Sequence, residues 1–390
     1  MTILVVDTGS FMIPDFIIKL NESGYKYRSI RYFFDRDNID SKYHNGEFEN
    51  LLNNELEKDY DCVFTTNFYP VIARVCHERG IIYISWSYDS PMNLSGTDEM
   101  EHPTNYLFLF DRSDVERYKK AGLEHVYHLP LAVNCDRLNM VRSDNRYSTD
   151  VSFLGQLYSS TLPVLKKIMA PYQQEFIDQL VQTQLKIYGN WFVEDMLTDK
   201  ILADMNNHFR SLSPNAIQLT REELAYSIAQ QITYYERISL LRLIRGKGYS
   251  VDLYTKSVSD PDLQLLKDIR VHGGLSYGTD MPILFKSSKI NLNVTLKILK
   301  SGIPLRALDI MGCGGFLFTN FQQEISEYFT DGKDVVMYKS MEEAVDKTGY
   351  YLAHDDERRI IAQNGYKIVS KEFRFEDRIR KMFVTAGVEH

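Results

Sequence analysis

Cysteine is scarce in this chain of 390 residues. Cys62, Cys76, Cys135 and Cys313 are scattered, and no C-x-x-C pair occurs. That spacing argues against a disulfide framework or a zinc ribbon and fits buried thiols in a reducing compartment. No apolar run approaches the ~18 residues of a membrane span. Met1-Thr2 leads straight into the apolar stretch Ile3 to Val6, without the basic flank of a signal peptide. A cytoplasmic protein is therefore expected. Basic charge is short as well. The net charge of -8 argues against a general nucleic-acid surface and leaves room for a local basic pocket. H-E-x-x-H is missing, and His125 and His128, three apart in a strand pattern, point to opposite faces. No metal site is expected. Neither a G-x-G-x-x-G after the first strand nor a P-loop is present. Internal repeats and low-complexity tracts are lacking.

What remains is ordinary globular composition, with 44% hydrophobic and 25% charged residues, in a length that favours two domains. Tyr and Phe are plentiful, which suits either stacking surfaces in clefts or aromatic cores. Through about residue 130, short strand signals (3–6, 25–30, 62–66, 81–87, 106–110, 126–131) alternate with helical patterns, while 35–60 is polar and poorly defined. This alternation predicts a parallel, doubly wound α/β sheet. Ligands of such sheets sit at the carboxyl ends of strands, which singles out Asp7–Ser10, Asn67–Tyr69 and Tyr88–Pro91. The polar stretch 139–149 reads as a linker between a first domain, 1–140, and a second, 150–373. In the second, a strand at Val151–Leu154 followed by Gly155 precedes a helical insertion of about 161–247. Strands then resume at 251–255, 269–272, 290–294, 316–319 and 335–338, and three helices end the chain.

The stretch 289–320 organises the second domain. A buried strand, a helix opening at Pro304, stopping glycines at 312, 314 and 315, and a second buried strand make a strand–helix–strand unit. Arg306 and Asp309, three apart, share one helical face, with Leu305, Leu308 and Met311 opposite. A cation near a helix N-terminus beside a glycine loop suits a phosphate-bearing ligand; a solvated ion pair is the plainer reading. Three other patterns compete. Asp35-Arg36-Asp37 has the D-x-D form of a metal–diphosphate holder in a segment that reads as a solvated loop. Gly274-Leu275-Ser276-Tyr277-Gly278 has the G-x-S-x-G form of a hydrolase elbow, with Asp331 and His354 following in order. Asp89 closes a strand, where it either faces a cleft or caps the turn before Pro91.

The second half resembles the glycosyltransferase-like domain of the CgeB spore maturation protein family, and the first half resembles the domain of unknown function that often precedes it. The carrying residues in the first half are Asn67-Phe68-Tyr69-Pro70, Trp86 with Asp89 and Pro91, and His128-Leu129-Pro130-Leu131-Ala132. In the second half they are Asp150 to Gly155, Asn291-Leu292-Asn293, and Ser301 to Arg306 running on to Asp309 and Gly312-Cys313-Gly314-Gly315-Phe316. The resemblance implies a GT-B fold, two Rossmann-like domains facing a cleft, with residues 374–390 forming a helix that crosses back to the first domain. It implies a metal-independent transferase without a cofactor, taking a nucleotide-sugar (a UDP-sugar foremost) as co-substrate and a protein or cell-surface or spore glycan as acceptor. A non-catalytic nucleotide- or glycan-binding module of the same shape is the alternative. Under this resemblance Arg306, the Gly155 loop and amides near Gly314 and Gly315 would meet the diphosphate. Asp309 would accept sugar or ribose hydroxyls, Tyr277 would stack on the base or touch phosphate, and Asn293 would end a strand at the cleft. Asp89 would be the acceptor-side base, with Asp7 second. Ser301 stands where many relatives carry the first acid of an E-x7-E pattern, which leaves retention versus inversion open.

Overall fold

The computed structural model describes residues 1–35, 39–92, 94 and 96–389. Arg36 and Asp37 of the D-x-D pattern lie outside them. By contacts the chain forms two compact units. The first comprises Met1–Arg137, Ser301–Leu308 and Ile368–His390, the second Leu138–Lys300 and Asp309–Lys367.

The first unit is built on β1 Thr2–Asp7, β2 Lys26–Arg31, β3 Cys62–Thr66, β4 Ile82–Ser87, β5 Asn105–Leu109 and β6 Val126–His128. All pair in parallel, in the order β2-β1-β3-β4-β5-β6. Its helices are α1 Ile13–Glu22, α2 Gly46–Glu55, α3 Pro70–Glu78, α4 Arg112–Lys120 and the short α5 Cys135–Asn139. The central strands are buried except at the half-buried first residues Thr2 and Ile82, because helices cover both faces of a parallel sheet. The segment 35–60, undefined in sequence, contains α2. Asn45 caps it by accepting from the Phe48 amide, and Phe48, Leu52 and Leu56 then line the core. The order reverses between β1 and β3, so this unit's crevice lies at the loops after them.

The second sheet has β7 Thr149–Leu154, β8 Val251–Tyr254, β9 Arg270–His272, β10 Ser288–Asn293, β11 Leu317–Asn320 and β12 Val336–Tyr338, all parallel, in the order β12-β11-β10-β7-β8-β9. Numbered within the unit, this is the 3-2-1-4-5-6 order of nucleotide-binding sheets, with its reversal between β7 and β10. The insertion is α6 Leu162–Lys166, α7 Pro171–Leu185, α8 Val193–Met196, α9 Asp199–Leu212 and α10 Arg221–Gly246. Pro171, Gly189 at φ 74° and Pro214 break it as the sequence predicts. The structure corrects one point. α10 is not only insertion, because its first half packs with Ile177, Trp191 and Phe209, whereas Ile238, Leu241 and Ile244 pack under the sheet. It is the crossover into β8. The remaining helices are α11 Asp260–Leu265, α12 Asp280–Ser287, α13 Leu305–Gly312, α14 Gln323–Tyr328, α15 Met341–Ala353, α16 Asp355–Glu372 and α17 Phe375–Thr385. Among the described residues, no helix is long and apolar enough to cross a membrane.

In the first unit, α17 docks through Phe375, Ile379, Met382 and Phe383, with the Tyr25 ring 5.2 Å from that of Phe383. Lys19, only 4% exposed, pins it electrostatically. Its Nζ lies 2.7 Å from Glu22, 2.7 Å from Asp136 and 3.1 Å from Glu376, joining α1, α5 and α17. Burial pushes the ammonium down, but the carboxylates outweigh it and hold Lys19 well above the usual lysine range. For Glu376, burial raises the carboxyl. Its backbone hydrogen bond and Lys19 outweigh that and hold it low. A raised lysine contributes stability that is lost only as pH climbs through strong alkali. A depressed glutamate contributes stability lost only as pH falls into the acid range. Docking of α17 should therefore be constant from about pH 6 to 9. Lys19→Met should weaken it by about 2 kcal/mol, the scale of charge-assisted hydrogen bonds lost at one atom. Amide exchange over residues 375–385 measures this; unchanged protection in the variant would refute the pin.

Candidate functional site

In the second unit, Gly155 follows β7 and Asn293 ends β10, so both lie at the carboxyl edge where the strand order reverses. Gly155 N–H continues the ladder to the Tyr254 carbonyl at 3.0 Å, and a Cβ there would meet the Phe153 ring at 3.2 Å. Asn293 is buried and spends its amide hydrogens on Thr319 Oγ1 at 2.9 Å and Thr295 Oγ1 at 3.1 Å. It ties β10 to β11.

The two loops are joined by a residue with no sequence signal. Arg237 of α10 is buried. Its Nε and Nη2 donate to the Val294 carbonyl and its Nη1 to the Gln156 carbonyl. The guanidinium lies 5.0 Å from the Phe153 ring centre and 4.7 Å from that of Tyr158. It fixes the peptide planes on both sides of the reversal. Sequence reasoning missed it because an arginine inside a long helix carries no motif.

α13 opens from the carboxyl edge after the β10 loop. Arg306 is half-buried in its first turn, and Asp309 is 1% exposed. Asp309 Oδ1 accepts the Tyr277 hydroxyl at 2.8 Å, from the loop after β9. Two residues singled out separately in the sequence thus meet, a half-buried tyrosine on a buried carboxylate. The core face is wider than predicted: Ala307, Leu308, Ile310 and Met311 are buried and Leu305 is half-buried.

Gly314 and Gly315 require correction. A crossover from β10 through α13 to parallel β11 returns the chain to the amino edge, so residues just before β11 lie opposite the ligand edge. Their amides are also taken, Gly314 N–H by the Met311 carbonyl and Gly315 N–H by the Ile310 carbonyl, both at 2.9 Å. Gly314, at φ 71°, ends the helix. A Cβ on Gly315 would stand 2.7 Å from the Phe285 carbonyl and 2.8 Å from Asn291 Nδ2. The pair serves chain reversal and close packing.

The hydrolase elbow also fails. Ser276 Oγ bonds Asp280 and Thr279 in an exposed turn. His354 Nδ1 pairs with the Tyr350 carbonyl and its ring stacks on Tyr350, while Asp331 accepts from the Met337 amide and Lys347. None of Ser276, Asp331 and His354 bonds another.

In the first unit, the loops after β3 and β4 are knitted by Asn67, at φ 63°. Its Nδ2 donates to Asp89 Oδ2 at 2.7 Å and its Oδ1 accepts the Tyr88 and Asp89 amides. Asp89 is exposed. Asp7 is buried and bonded by Arg31 Nε at 2.7 Å and the Gly9 amide. Ser301 donates through Oγ to Asp111 Oδ1 at 2.7 Å, and a Cβ on Gly302 would meet Phe110 at 2.9 Å. Asp111, buried, also caps α4 through the Ser113 amide. The cap is readable in sequence; the Ser301 contact, 190 positions away, is not. Among the described residues, one group of three carboxylates is close enough to share an ion. It is Glu22, Asp136 and Glu376, which surround Lys19 Nζ instead.

A family model described as Glycosyl transferase-like matches residues 238–383. No curated protein matches the chain. Among solved structures, it is similar to a glycosyltransferase from Rickettsia africae ESF-5 (10% identity, 99% of this chain and 98% of that one, TM-score 0.60). It is similar to Anabaena Alr3699/HepE in complex with UDP and glucose (10% identity, 99% of each chain, TM-score 0.56). It is also similar to sucrose-phosphate synthase from Thermosynechococcus elongatus (9% identity, 98% and 97% of the chains, TM-score 0.58). At these identities the likeness shows the fold, which is that of GT-B glycosyltransferases, the class expected from the sequence.

Proposed function

We propose that this protein is a glycosyltransferase that moves a sugar from a nucleotide diphosphate, a UDP-sugar foremost, to a protein or a cell-surface or spore glycan, without a metal. The observation that carries this reading is the hydrogen bond from half-buried Tyr277 to buried Asp309 in the segment matched by the glycosyl transferase-like model. Tyr277 and the opening of α13 belong to the carboxyl edge of a sheet whose strand order is that of nucleotide-binding domains. The complex of Anabaena Alr3699/HepE with UDP-glucose supports the donor class.

Sugar transfer passes through an oxocarbenium-like state with a departing diphosphate. Negative charge grows on the leaving group, and a fixed cation accelerates the step by meeting that charge. Arg306, in the first turn of α13, is assigned this role, aided by the positive end of the helix dipole. Asp309, oriented by Tyr277, accepts sugar or ribose hydroxyls, and the Tyr277 ring faces the base. Gly155 lets the β7 loop approach the donor. Asp89 is the acceptor-side base, because Asn67 orients it and it remains exposed, whereas Asp7 is neutralised by Arg31. The second reading, a nucleotide- or glycan-binding module of the same fold, is favoured by Ser301, a hydroxyl at a place where the resemblance calls for an acid.

A panel of UDP-, GDP- and ADP-sugars separates these readings. A donor present at 100 times its dissociation constant should raise stability by about 2.7 kcal/mol, seen as a rise in melting temperature. Release of free nucleotide when an acceptor extract is added then marks an enzyme. Binding without release supports the module, and no shift with any nucleotide-sugar sinks the transferase and the nucleotide-binding form of the module.

A further inference from the structure

One face of α10 is devoted to the loop that follows β10. Thr233, Glu236 and Arg237 share that face, because Glu236 and Arg237 lie three and four residues beyond Thr233. All three are buried. Thr233 Oγ1 accepts the Lys297 amide at 3.0 Å. Arg237 donates to the Val294 carbonyl. Between them, Glu236 Oε2 lies 2.9 Å from Lys297 Nζ, and neither residue is more than 8% exposed. Asn320, which ends β11, accepts the Thr295 amide at 2.8 Å. The stretch 294–297 is thus fixed through its backbone and through its one charged side chain.

The backbone bonds satisfy groups that would otherwise be orphaned. The ion pair has no such explanation. Taking two charges out of water is offset only where further hydrogen bonds satisfy both groups. Here neither Glu236 oxygen nor Lys297 Nζ has an aligned hydrogen-bond partner, and the Tyr188 and Tyr338 hydroxyls are orphaned as well. Both tyrosines are pushed up, by burial first and by the Glu236 carboxylate next, so they border that carboxylate without donating to it. The Tyr188 ring, its centre 3.7 Å from the ammonium, compensates in part. A pair placed in this way is a poor source of stability. It does define one position for the chain that carries it, where apolar side chains accept several.

We propose that Glu236 is a positioning residue: through Lys297 it holds the loop after β10 in the one path that donor transfer needs, at the carboxyl edge where Gly155 and Asn293 flank the reversal. The proposal rests on the transfer reading, because that edge is where such a sheet takes its ligand. Neither Glu236 nor Lys297 has to touch the donor.

Glu236→Gln combined with Lys297→Met removes both charges and nearly keeps the shape. Freed of two desolvated charges, the double variant should melt at or above the wild-type temperature. Its amide exchange over residues 294–300 should nevertheless quicken. Its kcat/KM for nucleotide-sugar should fall about tenfold or more, since a misplacement of about 1 Å costs on the order of 100-fold. A pair that served stability alone would give the opposite pattern, a lower melting temperature and a wild-type rate in the folded variant. A lower melting temperature therefore overturns the proposal, as does wild-type exchange over residues 294–300 or a wild-type kcat/KM. A wild-type protein that turns over no nucleotide-sugar fails the transfer reading instead, and melting and exchange then still decide whether the pair positions the loop.

Discussion

Arg237→Met should destabilise the second unit by about 2 to 3 kcal/mol, the scale of a buried carbonyl left without its charged donor. The side chain does three things at once. It donates to the Val294 carbonyl, which is buried with its residue and would be left without a donor. It donates to Gln156, tying the β7 loop to the β10 loop. It also stacks on Tyr158, a non-glycine residue at φ 66°, whose left-handed conformation persists only where surrounding contacts enforce it. Methionine fills part of the volume and restores none of this. Arg237→Lys is the sharper control. A lysine keeps the charge but is a single point on a flexible stem and does not span two carbonyls, so it should recover less than half of the loss. Hydrogen exchange in β7 and β10 reads the effect locally. A lysine variant as protected as the wild type would show that charge alone, not the fork, holds the reversal.

The two sheets were legible because parallel strands covered on both faces must be short and largely apolar, and Ile3–Val6, the start of Cys62–Thr66 and the alternate residues Ile290, Leu292 and Val294 show this. Strand order was not, because pairing partners are set by crossovers that leave no local trace. That gap explains the error at Gly314 and Gly315. A glycine pair after a helix looks like a phosphate cradle until the crossover puts it at the amino edge, with Gly315 pressed on the Phe285 carbonyl. Tyr277 and Asp309 were named apart, Asp309 from its place on the helix and Tyr277 under the resemblance, and only the fold supplied the 2.8 Å bond between them. Arg237, Lys297 and Asp111 escaped for one shared reason. Each acts on backbone or side chains remote in sequence, from a local context that already has a complete explanation as helix interior, loop or helix cap.

Arg306→Ala should lower kcat/KM for nucleotide-sugar about 100-fold, the loss typical of one preorganised group removed from a developing charge. The effect should fall mainly on kcat. The ground-state diphosphate already carries charge that water and other groups satisfy, while the additional charge of the departing diphosphate exists only in the transition state. Arg306→Lys should recover part of the rate, because a point cation meets the charge without the bidentate fork. Stability should change little, since Arg306 is half-buried in the first turn and the core face of α13 is made by Ala307, Leu308, Ile310 and Met311. This separates it from Arg237→Met, which should shift melting first. Steady-state rates measured on variants of equal melting temperature make the comparison. If Arg306→Ala turns over nucleotide-sugar like the wild type, the cation that meets the leaving group is elsewhere and the role assigned to α13 falls. If it raises KM alone, Arg306 binds donor in ground and transition state equally, and the charge on the departing diphosphate must be met by backbone amides at the opening of the helix.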